Sequence, residues 1–176
     1  NQDMFLEGTG SMVLDRDNKI AYACLSPRTH SKVLDRFCEV MKYRPVAFTS
    51  NDAGGHAIYH TNVIMCVGEK FVLIVLASIT DNRERNYVQQ VITDSGKKII
   101  DISPDQMNEF AGNMLLVKNT RNERLLVMSS RAYASLTTDQ IEALDVEIVH
   151  SPLTTIELNG GGSARCMMAE VHLKEL

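Results

Sequence analysis

Three short apolar segments recur at a fixed interval. Met12-Val13-Leu14, Val63-Ile64-Met65 and Met114-Leu115-Leu116 each begin 51 residues after the one before. A period of this length restricts a chain to architectures that stack or ring one supersecondary unit, because a single unit cannot bury its own apolar face. Each segment is followed by turn residues: Asp15-Arg16-Asp17-Asn18-Lys19, Gly68-Glu69-Lys70 and Lys118-Asn119-Thr120-Arg121-Asn122-Glu123. Turn chemistry between apolar runs reads as a hairpin, so second strands are predicted at 20–25, 71–76 and 125–128.

Helical periodicity comes next in each unit. Val33, Leu34, Phe37, Cys38 and Met41 share one face, as do Tyr87, Val88, Val91 and Ile92, and then Ile141 and Leu144. Thr137 with Gln140 fits a capping box, and Ser103-Pro104-Asp105-Gln106 fits the start of an extra short helix. A third strand closes each unit, at 46–48, 99–102 and 146–149. The chain is therefore predicted to be α/β, with a strand–strand–helix–strand (ββαβ) unit about three times over. The units cover approximately 5–50, 60–103 and 111–150, and a fourth opens in 160–176, near Met167. No low-complexity linker divides residues 1–176, which read as a single domain.

Composition narrows the function classes. The 176 residues are 44% apolar and 23% charged, ordinary for a soluble globular chain. The formal net charge of −4 and the lack of a basic stripe argue against nucleic-acid binding. The longest apolar run, 71–77, is strand-sized, far below the roughly 18 residues of a membrane span. Cysteines at 24, 38, 66 and 166 form no close pair, which excludes a zinc ribbon or Cys-x-x-Cys motif and favours a reducing, cytoplasmic setting. The chain begins at Asn1 rather than Met, which reads as a processed or truncated boundary.

The chemistry gathers just before the repeat strands, in Phe5-Leu6-Glu7-Gly8-Thr9-Gly10-Ser11, Tyr59-His60-Thr61-Asn62 and Gly160-Gly161-Gly162-Ser163-Ala164-Arg165-Cys166. Glu7 and His60 are 53 residues apart, and His60 and Cys166 are 106 apart. An acid, an imidazole and a thiol thus take roughly equivalent places in three repeats, and repeats arranged about an axis would bring them to one mouth. An imidazolium favours the thiolate of a neighbouring cysteine, and a carboxylate fixes the imidazole tautomer. Glycines before the cysteine allow tight turns and close approach to a small planar substrate. Cys24, Cys38 and Cys66 read as small buried hydrophobes, and His30, His56, His150 and His172 as surface or core residues. Gly8-Thr9-Gly10-Ser11 lacks the lysine and spacing of a phosphate loop.

Three motifs, FLEGTGS at Glu7, YHTN at His60 and GGGSARCMM at Cys166, stand in an order that resembles the guanidino-group-modifying enzymes. This is the amidinotransferase and arginine deiminase superfamily, whose five-bladed α/β propeller is called the pentein fold. The chain looks closest to its citrulline-utilising hydrolase branch. The resemblance implies that Cys166 attacks a guanidino or ureido carbon of an arginine- or citrulline-like substrate and forms a covalent adduct. It implies that His60 protonates the leaving amine and then activates water, and that Glu7 orients His60 or binds substrate nitrogens. Arg28, in Leu25-Ser26-Pro27-Arg28-Thr29, matches the segment whose arginine binds a substrate carboxylate, which suits a guanidinium fork. Asn62 stands where arginine deiminases usually carry an acid, which favours a neutral ureido group.

A small-molecule substrate is implied, with no cofactor and no metal. The rivals are an amidinotransferase and a catalytically inactive pentein fragment or binding module. Five units of about 51 residues would need roughly 255. The chain therefore reads as the carboxy-terminal portion of a pentein domain, expected to self-associate or to associate with the missing amino-terminal portion.

Overall fold

The side chain of Asp15 builds the first hairpin. It accepts the backbone N–H of Asn18 at 3.1 Å and the Asn18 side-chain amide at 2.9 Å, and Lys19 takes a positive φ of 54°. β1 (Val13–Asp15) thereby folds back on β2 (Ile20–Leu25), preceded by a single helical turn, α1 (Gly8–Ser11). The computed structural model describes residues 4–171.

From β2 the chain crosses through α2 (Ser31–Met41) to β3 (Arg44–Thr49), which pairs parallel to β2 with Ile20 opposite Arg44. The pattern then repeats. β4 (Met65–Val67) and β5 (Phe71–Ile74) are antiparallel, and α3 (Asn82–Asp94) leads to β6 (Lys98–Asp101), parallel to β5. After the short α4 (Pro104–Asn108), β7 (Leu115–Lys118) and β8 (Arg124–Ser129) form the third hairpin. α5 (Ser130–Ser135) and α6 (Thr138–Leu144) then lead to β9 (Glu147–Ser151), parallel to β8. α7 (Thr154–Gly160) follows.

The result is three three-stranded sheets, ordered β1-β2-β3, β4-β5-β6 and β7-β8-β9. β1 packs against β4 and β4 against β7, so the first strand of every unit is its inner strand. α3 packs on β3 of the preceding unit as well as on β6, and α6 packs on β6. One apolar core runs through all three sheets, from Tyr22 and Phe48 through Leu73 and Ile92 to Leu126 and Leu144. A smaller core of Met12, Ala21, Ala23, Leu34 and Cys38 lies beneath α2.

The repeated ββαβ unit and both capping boxes are as the sequence predicts. The limits of the strands differ where side chains take tertiary partners. Val63, predicted to open the strand, instead ends a 3-10 turn (Thr61–Val63) before β4, because buried Thr61 donates its hydroxyl to Ser11 O at 2.6 Å and accepts Cys24 N–H at 2.8 Å. β5 stops at Ile74, and Leu76 N–H bonds the side chain of Asp101 at 3.0 Å instead of continuing the ladder. Met41 and Tyr87, assigned to helix core faces by period, are exposed. A 3-10 turn at Ala164–Met167 lies where the fourth unit is predicted to open, as the turn at Thr61–Val63 stands before β4. No strand follows it among the described residues, and residues 172–176, including His172, lie outside them. No helix among the described residues is long and apolar enough to cross a membrane.

Cys24, Cys38 and Cys66 are buried, whereas Cys166 is exposed. Burial pushes the Cys24 and Cys66 thiols up from the ordinary value of 9.0 to about 11. A thiol whose pKa is raised in the folded state stabilises the fold fully below its unfolded value and loses that contribution as pH rises through its folded value. Stability is therefore expected to hold up to about pH 9 and to fall between about pH 9 and 11. Urea unfolding across that range checks this, and Cys24→Ala should flatten the fall.

Candidate active site

Repeat one carries the acid. Gly8, with φ +52°, turns the chain after Glu7, and Glu7 N–H bonds Ser11 Oγ at 2.8 Å. Ser11 Oγ in turn donates to Arg28 O at 2.8 Å, which draws the Arg28 segment alongside. Repeat two brings the imidazole to the same place through the Thr61–Ser11 bond. His60 Nε2 lies 2.7 Å from Glu7 Oε2, within an ion pair when the ring is protonated. Gly10 makes this approach possible: a Cβ there would sit 2.8 Å from the His60 ring. Tyr59 packs its ring on that of His60 at 4.9 Å, and the Arg28 guanidinium lies over Tyr59 at 5.2 Å. Arg28 is also 3.6 Å from Glu7 Oε2 and remains half exposed.

The thiol arrives from the glycine run. Gly161 turns at φ +64° beyond α7, and the 3-10 turn then presents Cys166 at the surface. Beneath it Ser163 is fully buried, donating its hydroxyl to Glu157 Oε1 at 2.6 Å and its N–H to Asn113 Oδ1 at 3.1 Å. Two carboxamides meet the sulfur: Asn113 Nδ2 at 3.1 Å and Asn62 Nδ2 at 3.8 Å. Asn113 Nδ2 also donates to Asn62 O at 3.0 Å. Cys166 borders a cavity of about 210 Å³ shared with Tyr59, Val63, Met107, Phe110 and Asn113.

The structure thus brings together Glu7, His60 and Arg28 on one side, and Asn62 and Cys166 on the other. No hydrogen bond joins His60 to Cys166 among the described residues. The two groups are linked by the neighbours of His60 in sequence: Tyr59 donates its hydroxyl to Gly161 O at 3.2 Å, and Asn62 reaches the sulfur. Asn113 carries no charge and no nucleophile to mark it in the sequence. Its signal is the repeat, since Ser11, Asn62 and Asn113 are each 51 residues apart.

The remaining histidines have other tasks. His30 caps α2, His150 stacks on Tyr133 at 4.3 Å, and His56 lies on the surface beside Asp52. Among the described residues no group of three or more His, Cys, Asp or Glu could hold a metal ion. A larger cavity of about 630 Å³ lies at the opposite, hairpin end of the inner strands, among Asp15, Arg16, Lys97, Lys118 and Arg124. Lys97 there is already engaged, donating to Gly68 O at 2.9 Å and Glu69 O at 2.7 Å.

The sequence model of the family described as N,N dimethylarginine dimethylhydrolase, eukaryotic, matches residues 1–173. No curated protein sequence matches the chain. Among solved structures, the chain is similar to ArgZ, an arginine dihydrolase from the ornithine-ammonia cycle in cyanobacteria. The TM-score is 0.73 and the identity 20%, over 94% of this chain and 25% of ArgZ. The amino-terminal domain of ArgZ covalently bound to a reaction intermediate matches at TM-score 0.71 and 19% identity, over 94% of this chain and 56% of that domain. AgrE in a binary complex with L-arginine matches at TM-score 0.72 and 18% identity, over 94% of this chain and 23% of AgrE. The chain therefore spans about a quarter of the length of ArgZ, and these likenesses bear on its fold.

Proposed function

Because the chain belongs to the N,N dimethylarginine dimethylhydrolase family, we propose that it carries the cysteine, histidine and glutamate of a site that hydrolyses a guanidino carbon–nitrogen bond. One observation carries this reading. The Glu7–His60 pair closes at 2.7 Å, and Asn62, two residues beyond His60, reaches the sulfur of Cys166.

In this reading the Cys166 thiolate adds to the planar guanidino carbon and forms a C–S bond. The carbon–nitrogen bond to the leaving amine breaks as imidazolium His60 gives that amine a proton. His60, now neutral, takes a proton from water as the oxygen attacks the thiouronium carbon. The C–S bond then breaks, and the ureido product leaves with the thiolate restored. Glu7 holds the ring in one orientation and stabilises its charged form. The amino-terminal domain of ArgZ has been solved covalently bound to a reaction intermediate, and a covalent course for this chain is our reading.

Asn62 Oδ1 is buried and has no hydrogen-bond partner among the described residues, although buried polar atoms are normally paired. We read it as an acceptor for a substrate N–H, which a guanidino and a ureido group both offer. Arg28, half exposed beside Glu7, would in this reading meet a carboxylate at the far end of an amino-acid substrate. We further read residues 1–176 as a portion of one pentein domain, a reading supported by the 56% of the ArgZ amino-terminal domain that the chain covers.

A small haloacetamidine, which carries the amidinium of the substrate, tests the site directly. Mass spectrometry should find Cys166 labelled in preference to Cys24, Cys38 and Cys66. His60→Gln should lower turnover of an N-methylated arginine, read as released amine, by about 10²- to 10⁴-fold. Equal labelling of all four thiols, or a His60→Gln variant as active as the parent, would remove the basis of this assignment.

A further inference from the structure

We propose that Asn113 holds the sulfur of Cys166 in its thiolate form by donating a carboxamide N–H to it. This rests on Cys166 being the nucleophile. Asn113 is 3% exposed, and every polar group of its side chain is committed. Nδ2 donates to Asn62 O at 3.0 Å and lies 3.1 Å from Cys166 Sγ. Oδ1 accepts Ser163 N–H at 3.1 Å.

These partners fix which way the amide faces. Turned over, it would set its oxygen against the Asn62 carbonyl and its hydrogens against the Ser163 N–H, losing both bonds. One amino hydrogen is taken by Asn62 O, so the other is left for the sulfur. A donor held in place before charge develops costs no reorganisation when the thiolate forms. Being neutral, the amide favours the anion without locking the sulfur into a permanent ion pair.

The titratable and charged groups of the surrounding segments are Glu7, His60, Arg28 and Tyr59 on one side, Glu157 and Arg165 on the segments leading into the loop, and Glu109, which is ion-paired with Arg131 beside Phe110. None of them hydrogen-bonds the sulfur among the described residues. Asn113 also accepts Arg165 N–H on its backbone carbonyl at 3.3 Å, so it holds the loop on both sides of Ala164. A purely structural anchor would use these same bonds, and the test must separate the two roles.

The measurement is the pH dependence of Cys166 alkylation by iodoacetamide, read on the Cys166 peptide by mass spectrometry. In Asn113→Ala the midpoint should rise by about one pH unit, making alkylation about tenfold slower below the midpoint while the high-pH plateau is kept. Asn113→Asp keeps the acceptor for Ser163 but places a carboxylate at the sulfur, and should raise the midpoint further. If the alanine variant lowers only the plateau, or if the aspartate variant matches the parent, Asn113 is an anchor and the proposal fails. A parent chain whose Cys166 shows no preference for a haloacetamidine would instead overturn the nucleophile assignment. Should both variants misfold, the parent chain suffices. With asparagine labelled by ¹⁵N, the Asn113 side-chain amide protons should titrate at the alkylation midpoint, and invariance across that pH would overturn the proposal.

Discussion

Replacing Cys166 by alanine is expected to abolish hydrolysis of the guanidino bond, with kcat falling by about 10⁴-fold or more, and to abolish haloacetamidine labelling at the site. On the proposed mechanism the effect is large because the whole reaction passes through one atom. Without the sulfur, water would have to attack a resonance-stabilised guanidinium directly, and His60 would have no adduct from which to expel the amine. Stability should change by less than about 0.5 kcal/mol, since Cys166 lies at the surface and its backbone N–H keeps its bond to Ser163 O. Activity and thermal unfolding of the same preparation separate loss of chemistry from loss of fold. A folded Cys166→Ala chain with substantial turnover would mean that another group does the work.

Gly112→Ala should be the most damaging small change to the fold near the site. A Cβ on Gly112 would overlap the carbonyl oxygen of Val63 and sit 2.8 Å from its carbon and 3.0 Å from the carbonyl carbon of Ile64. These are backbone atoms, and no rotamer can relieve the overlap. A destabilisation of about 3 kcal/mol is expected, at the upper end of what overpacking costs. Gly112 precedes Asn113 and Val63 follows Asn62, so forcing the two segments apart also moves both amides away from the sulfur. Urea unfolding should show the lowered midpoint, and haloacetamidine labelling of the surviving folded fraction should slow. A midpoint unchanged from the parent would mean that the inner strands slide apart more readily than their packing implies.

Much of this was legible in the sequence because repetition amplifies weak signals. The ββαβ unit could be read from Met12, Val63 and Met114 together, where any one of them is only an apolar residue before a turn. The capping boxes at Ser103 and Thr137 were legible because they are local. The guanidino-group-modifying superfamily was legible from three ordered motifs, and the family match over residues 1–173 bears it out. What stayed hidden depends on distant partners. The turn at 61–63 follows from Thr61 meeting Ser11, and the early end of β5 from Leu76 meeting Asp101. Periodicity within a segment cannot carry that information. Asn113 was hidden for another reason: a neutral amide becomes conspicuous only beside the sulfur it faces.

Ser11, Asn62 and Asn113 have a wider consequence. Each stands at the entrance to an inner strand, one repeat from the next, and each uses a short polar side chain on a loop from elsewhere in the chain. Ser11 ties Glu7 to the Arg28 segment, while Asn62 and Asn113 converge on Cys166. A scaffold that offers the same location several times can divide labour among the copies. One copy can be exchanged for a different donor or acceptor while the others keep the mouth in shape. Such a site can acquire a new preference by a single substitution at one location, with no change to the walls that hold it.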